Sequence, residues 1–285
     1  MTVFVIGASS QIGHFFLPRI VATGRDVVAL SRQPHLSTPS VRWLAGALPH
    51  MPDVGEVEAI VSFGPLDGLA TWLADASLAG TPHVVATGSM SAETKKASAM
   101  AAERELSERL RASEVLLAES CDRRGMPWTV FRPTLIYGAG MDKSLTALAH
   151  RACATHVFPL LAGRGLRQPV HADDIAAAVV AAVERDGARR RIFQIGGSER
   201  LTSGDMFRRV RRSLSATTLP LPVPRTVLQL AARLLPGIRG AIDRLDNDLI
   251  ADNADLIDVL GVVPRPFAPS SATWRLPDPA PRATA

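Results

Sequence analysis

The segment VFVIGASSQIGHFF, residues 3–16, constrains this chain most. A short apolar run rich in β-formers ends at Gly7, and Gly13 follows six residues later in an amphipathic stretch. Gly7 can turn sharply out of a strand, and Gly13 lets the next helix lie close against that strand. Ile12, Phe16, Ile20 and Val21 share one face of the expected helix, and Gly24 stops it. The unit then recurs. DVVAL (26–30), VRWLAG (41–46), EAIVSFG (58–64) and HVVATGS (83–89) read as strands, with LDGLATWLADASLAG (66–80) as a helix and 97–118 as a longer one. WTVFRPTLIYG (128–138) is a strand leading into a loop, a helix follows over 144–156, and RRIFQIGG (190–197) is one more strand. Near-continuous apolar strands alternating with helices specify an α/β chain whose mostly parallel sheet is covered on both faces.

Composition narrows the function classes. The 285 residues, 47% of them apolar, suffice for one large α/β domain or a large and a small one. No apolar run reaches the roughly 18 residues of a spanning helix, and MTVFVIG enters a strand without a basic leader. We therefore expect a cytoplasmic protein without membrane insertion. Cys121 and Cys153 have no metal-ligand spacing, and neither an HExxH motif nor a carboxylate cluster is present, so no metal is expected. GxSxG is absent too, which leaves serine hydrolase chemistry without support. The net charge of +5 comes with arginine runs at 185–191 and 207–213, but aromatics make up only 5%. Without a stacking array these runs read as solvated faces, and no nucleic acid partner is expected.

The opening turn has the build of a dinucleotide site. Pyrophosphate binds backbone N–H groups at a helix N-terminus, where little side-chain bulk can be tolerated. Gly7, Ser10, Gln11, Ile12 and Gly13 supply that loop, with Ser10 standing where the short glycine motif has its middle glycine. The end of the second strand carries Ser31 and Arg32, nineteen residues beyond Gly13, and no acidic residue for ribose hydroxyls. A guanidinium there can pair with a 2′-phosphate, so NADP is the expected cofactor and NAD is possible.

The motifs GASSQIG, ALSR, VVATGSMS, WTVFRPTLIYG, RQPVHADDIAAAV and IFQIGG occur in an order and spacing that resembles the extended short-chain dehydrogenase/reductase superfamily, the NAD-dependent epimerase/dehydratase-like group. The chain looks like an atypical member, similar to the branch containing the accessory NAD(P)-binding subunit of respiratory complex I. The resemblance covers about residues 1–270, and FRPTLIYG with VHADDIA is its most specific part. It implies a Rossmann-like doubly wound parallel sheet with a small C-terminal substrate lobe. Residues 1–195 would form the NAD(P)-binding domain, including a lobe-joining segment over 163–180. Residues 196–270 would form a mostly helical lobe, and 271–285 a surface tail. It also implies that Phe63, Gly64, Thr87, Gly88, Pro133, Thr134 and Leu135 line the cofactor, and that His171 and Asp174 help join the lobes.

The departures bear on chemistry. Ketone reduction in this superfamily uses a tyrosine and a lysine four residues on, whose positions here fall on Leu106 and Leu110. These leucines are in phase with Leu117 and are expected to form an apolar seam. Ser89 and Tyr137, the latter the only tyrosine, are the candidate substitutes. Lys95 and Lys96 read as solvated loop lysines and His171 as structural. The leading expectation is an NAD(P)-dependent oxidoreductase acting on a small carbonyl or related substrate without the usual catalytic pair. The alternatives are a non-catalytic dinucleotide-binding regulatory or assembly protein, and a nucleotide-sugar epimerase or dehydratase. The partner is a small-molecule substrate, and the chain is expected to be a monomer or homodimer.

Overall fold

The computed structural model describes residues 1–234, 240, 242 and 244–277. Seven strands form one sheet: β1 (Thr2–Ile6), β2 (Asp26–Ser31), β3 (Val41–Ala45), β4 (Ala59–Ser62), β5 (His83–Thr87), β6 (Trp128–Pro133) and β11 (Arg191–Ile195). Their order is β11-β6-β5-β4-β1-β2-β3, and every pairing is parallel. Alternate residues of these strands enter two different cores. Val3, Val5, Val27, Ala29 and Val61 pack with helices α1 (Gln11–Ala22) and α6 (Ala172–Glu184). Phe4, Ile6, Val28, Leu30 and Ile60 pack with α2 (Leu66–Asp75) and α4 (Ala101–Asp122). Burial on both faces is why these strands read as apolar throughout, and the doubly wound Rossmann-like class expected from the sequence is the fold observed. The chain doubles back between β1 and β4, so the carboxyl ends of these neighbours open a crevice at the switch point.

A third apolar cluster lies beyond the sheet. Helix α5 (Leu145–Thr155) and strand β8 (Val157–Leu161) contribute Leu145, Ala149 and Phe158, and α7 (Ser203–Arg212) contributes Met206, Phe207 and Val210. Leu228 of α8 (Arg225–Leu234) joins them. This cluster draws α5 and β8, which the sequence division at 195 assigns to the first domain, into packing with the later elements. β8 pairs in parallel with β13 (Leu219–Val223), whose Leu219 N–H donates to the His156 carbonyl at 2.8 Å. The tail expected to run over the surface from 271 is tied down at its start. Trp274 is buried in the same cluster, its indole N–H donating to Ser213 Oγ at 2.8 Å, while 278–285 lie outside the described residues. Among the described residues no helix is long and apolar enough to cross a membrane.

The long helix α4 differs from its expected seam. Its buried face runs through Glu103, Ser107, Glu114, Leu117 and Cys121, while Leu106 and Leu110 are only half-buried. Polar groups are admitted to this face because each finds a partner. Glu114 takes two hydrogen bonds from Arg132 of β6, at 2.8 and 2.5 Å, and Ser107 donates to the Ala92 carbonyl at 2.7 Å. Periodicity alone ranks apolar residues inward and misses buried polar residues of this kind.

Candidate functional site

The crevice at the switch point is built from the opening turn. Gly7 has φ +74°, a conformation that side chains rarely adopt, and a Cβ there would stand 3.1 Å from the Phe63 carbonyl carbon. A Cβ on Gly13 would lie 2.3 Å from the Ala8 carbonyl oxygen, so only glycine lets α1 approach β1 this closely. Ser10 caps α1: its Oγ accepts from Gly13 N at 3.2 Å, and its own N–H donates to Gly7 O at 2.9 Å. The serine in the middle-glycine position therefore ties the turn together from within. The first-turn N–H groups of a helix lack intrahelical acceptors and favour an anion.

The cleft beside this turn has a volume of about 370 Å³ and brings together Gly7, Ser10, Ser31, Arg32, Phe63 and Gly64. Ser31 is held by its neighbours, with Oγ accepting from Gln33 N and lying 3.1 Å from His35 Nε2. His35 stacks on Trp43 at 4.1 Å. Arg32 is exposed on the wall and makes no ion pair among the described residues. Gln11, Ile12 and Gly13 lie behind the wall, and Gln11 Nε2 donates to the Gly138 carbonyl at 2.6 Å, coupling the turn to the loop after β7 (Ile136–Tyr137). The cleft's place beside the N-terminus of α1 and its glycine-lined wall fit a dinucleotide.

The remaining expected cofactor residues stand further along the sheet's carboxyl edge. Thr87 is buried and donates to the Ser62 carbonyl, and Gly88 N–H donates to Phe131 O at 2.7 Å. Pro133 closes β6, where its carbonyl accepts from Met90 N at 2.9 Å. Thr134 N–H donates to Ile195 O and its hydroxyl to the Gln168 carbonyl. Leu135 lines a second cavity.

That second cavity, about 420 Å³, lies between the loops after β5 and β6 and the elements of the third cluster. Ser91 and Thr94 of α3 (Ser91–Thr94), Lys95, Glu103, Arg167 and Arg244 bring polar groups to it, among leucines of α5 and β8 and Met206 and Phe207 of α7. Lys95, expected as a solvated loop residue, is instead largely enclosed, with Nζ 3.2 Å from Glu103 Oε1. Arg244 approaches the same oxygen at 3.1 Å and Ser98 Oγ donates to Glu103 Oε2 at 2.8 Å. Burial opposes the Glu103 charge, but the hydrogen bonds from Ser98, Lys95 and Arg244 prevail and hold its carboxyl below the usual range. Lys96, by contrast, is half exposed on Glu93. Glu103, Arg167 and Arg244 carry no local sequence signal: the fold assembles them across 141 residues.

The two expected catalytic residues line neither cavity. Ser89 Oγ accepts from Ser91 N at 3.1 Å and shapes the turn after β5. Tyr137 is 1% exposed, with its hydroxyl 3.5 Å from the Pro266 carbonyl and its ring edge-on to His171 and Phe267. Burial pushes its phenol up to about 12, the wrong direction for a proton donor. His171 caps α6, with Nδ1 accepting from Asp173 N, and burial lowers its pKa. Asp174 binds Arg265 at 2.7 Å, and Asp173 binds both Arg265 and Arg19 at 2.7 and 2.6 Å. Among the described residues no group of His, Cys, Asp or Glu is arranged to hold a metal.

Comparison with known proteins agrees with this fold. The NAD dependent epimerase/dehydratase family profile matches residues 78–196. No curated protein matches the chain. Among solved structures, a UDP-glucuronic acid 4-epimerase from Bacillus cereus in complex with NAD is similar at 14% identity and TM-score 0.69, over 96% of this chain and 97% of that one. MoeE5 in complex with UDP-glucuronic acid and NAD is similar at 18% identity and TM-score 0.71, over 96% and 97%. A dTDP-glucose 4,6-dehydratase from Streptomyces venezuelae with NAD bound gives 17% and 0.70, over 96% of each chain. At these identities the likeness is one of fold. It corrects the similarity to the complex I accessory-subunit branch: the similar structures include a UDP-glucuronic acid 4-epimerase and a dTDP-glucose 4,6-dehydratase, and MoeE5 is likewise bound to a nucleotide sugar. Motifs such as FRPTLIYG serve the sheet edge and the turn, so they do not discriminate between branches that share both.

Proposed function

We propose that this protein is a dinucleotide-dependent enzyme of the epimerase/dehydratase kind, with the cofactor in the switch-point cleft and the substrate in the second cavity. The observation that carries this reading is the cleft itself, where Gly7, Ser10, Ser31, Arg32, Phe63 and Gly64 converge beside the α1 N-terminus. A bound nicotinamide dinucleotide would supply hydride transfer. The chain's part is to bind and orient it and to handle a proton. Ser10, at the N-terminus of α1, would face the pyrophosphate, Phe63 and Gly64 would form the floor, and Leu135 lines the substrate cavity. With leucines where the tyrosine and lysine are expected, the ammonium of Lys95, paired with Glu103, is the group able to hold a proton at the substrate, and Ser89 supports the turn that carries it.

The solved structures it resembles are named for nucleotide-sugar complexes with NAD, which makes nucleotide sugars, ahead of simple ketones, the reference panel against which this cavity's own preference is measured. The non-catalytic reading has less support, because the fold also forms a second cavity with ionisable walls beside the loops after β5 and β6. Within the dinucleotide class, the absence of an acidic residue after β2 and the position of Arg32 favour NADPH over NADH. Calorimetry with both cofactors tests this, with NADPH expected to bind more tightly and Arg32→Glu to remove the preference. Equal affinities in the unmutated protein would refute the assignment of Arg32. Product analysis by NMR, with NADP or NAD and a panel of UDP- and dTDP-sugars, tests the chemistry, since epimerisation and dehydration return the cofactor to its starting state, and any conversion should be lost in Lys95→Met.

A further inference from the structure

We infer that the substrate cavity is made for an amphipathic anion, a phosphate or carboxylate head on an apolar chain, in place of a nucleotide. The inference rests on the reading of this cavity as the substrate site and specifies what enters it. Ser144 and Asn247 also line it, but most of its wall is made by Leu145 and Leu148 of α5, Leu161 of β8, Met206 and Phe207 of α7, and Leu249. These side chains offer a base or ribose no hydrogen bond, and polar ligand groups buried against them would lose their water without replacement. An apolar chain gains by the same burial.

The charged end is cationic on balance. Lys95, Arg167 and Arg244 face it against Glu103 and Asp248, three positive charges to two negative. The single carboxylate of Glu103 is shared by Lys95 and Arg244, and Asp248 Oδ1 already accepts from Leu166 N at 2.7 Å. Arg167 is 6% exposed, and its guanidinium reaches only the carbonyls of Leu166, Asn247 and Arg244 among the described residues. Carbonyl dipoles satisfy its N–H groups without cancelling its charge, and an anionic head would. The elements on this side also carry a dense run of exposed apolar side chains. Leu219 and Leu221 lie on β13, which flanks β8, and Val227, Leu230 and Leu234 on α8. Apolar character thus continues from the cavity wall to the surface.

The test is calorimetry with n-octyl phosphate below its micellar concentration, inorganic phosphate and UDP-glucose as separate probes, on the whole protein. Octyl phosphate is expected to bind one to one, at least about tenfold more tightly than inorganic phosphate, as burial of several methylenes predicts. Leu148→Glu and Arg244→Glu should each weaken it by about tenfold or more. Arg244 is half exposed, so its variant keeps the test valid if the Leu148 variant does not fold. Equal affinity for the two phosphates would reduce the site to a bare anion site, and tighter binding of UDP-glucose would restore a nucleotide. Either result overturns the inference, as does no binding of octyl phosphate or binding that survives Arg244→Glu. NADPH binding, followed by its fluorescence in parallel, reports on the switch-point cleft alone. Its loss with octyl phosphate retained would remove the proposed function and leave this cavity assignment intact.

Discussion

Gly13 shows how one missing atom fixes a site. The Ala8 carbonyl occupies the space where its Cβ would be, and backbone on both sides cannot yield as a side-chain tip would. Gly13→Ala is therefore expected to lever α1 from β1 and to weaken NADPH binding by at least about tenfold, or to cost several kcal/mol if the clash is absorbed in the core. Calorimetry and a thermal melt on one sample separate the two. Tyr137 makes the opposite case. Its hydroxyl sits at 3.5 Å from a carbonyl, the outer limit of a hydrogen bond, while its ring is packed on two sides. Tyr137→Phe should change stability by less than about 1 kcal/mol and leave turnover intact. A large fall in rate with unchanged melting would return this residue to the catalytic list.

At the scale of elements, strands β5 and β6 are joined by more than their ladder. His83 Nε2 lies 2.9 Å from Thr129 Oγ1, whose hydroxyl donates to the Ala188 carbonyl at 2.7 Å. Thr129 therefore accepts from His83, which must carry its proton on Nε2. Burial, with help from Arg189, lowers the His83 pKa from 6.5 to about 4. The neutral ring is the folded form, so this contribution is complete above pH 6.5 and fades as pH falls toward 4. We expect the melting temperature to drop across that window and His83→Leu to flatten the drop, as thermal melts at pH 7, 5.5 and 4 would record. The same scale shows what could be read from the chain. β1, β4 and β5 were legible because burial on both faces demands unbroken apolar runs, and the glycine turn because its conformation demands glycine. Glu103, Arg167 and Arg244 were not, because each belongs to a different element and their meeting is a property of the third cluster. Lys95 looked solvated because nothing beside it in the chain reveals Glu103.

At the scale of the whole molecule, the closing segment is pinned to the sheet domain by charge. Arg265 donates to Asp174 and Asp173, and Arg19 of α1 completes the group. Burial works against the Asp173 charge, but the hydrogen bonds from Arg19 and Arg265 outweigh it and hold its pKa at about 2. Its contribution is present above the ordinary carboxylate value near 3.8 and is lost as pH falls from there toward 2. Arg265→Ala should release residues near 265–274 while the sheet stays folded. Hydrogen exchange is expected to quicken around Trp274 and not in β1 or β4, and uniform quickening would contradict a local latch.

The outer strand β13 has a further consequence. Leu219 turns its N–H toward β8, so the residues facing away in the pleat are Pro220 and Pro222, which have no N–H to give. A chain arriving along that margin would find carbonyls but no donors, and the ladder could not grow. In a crowded solution the protein can expose a greasy flank there without inviting its neighbours to stack into fibres.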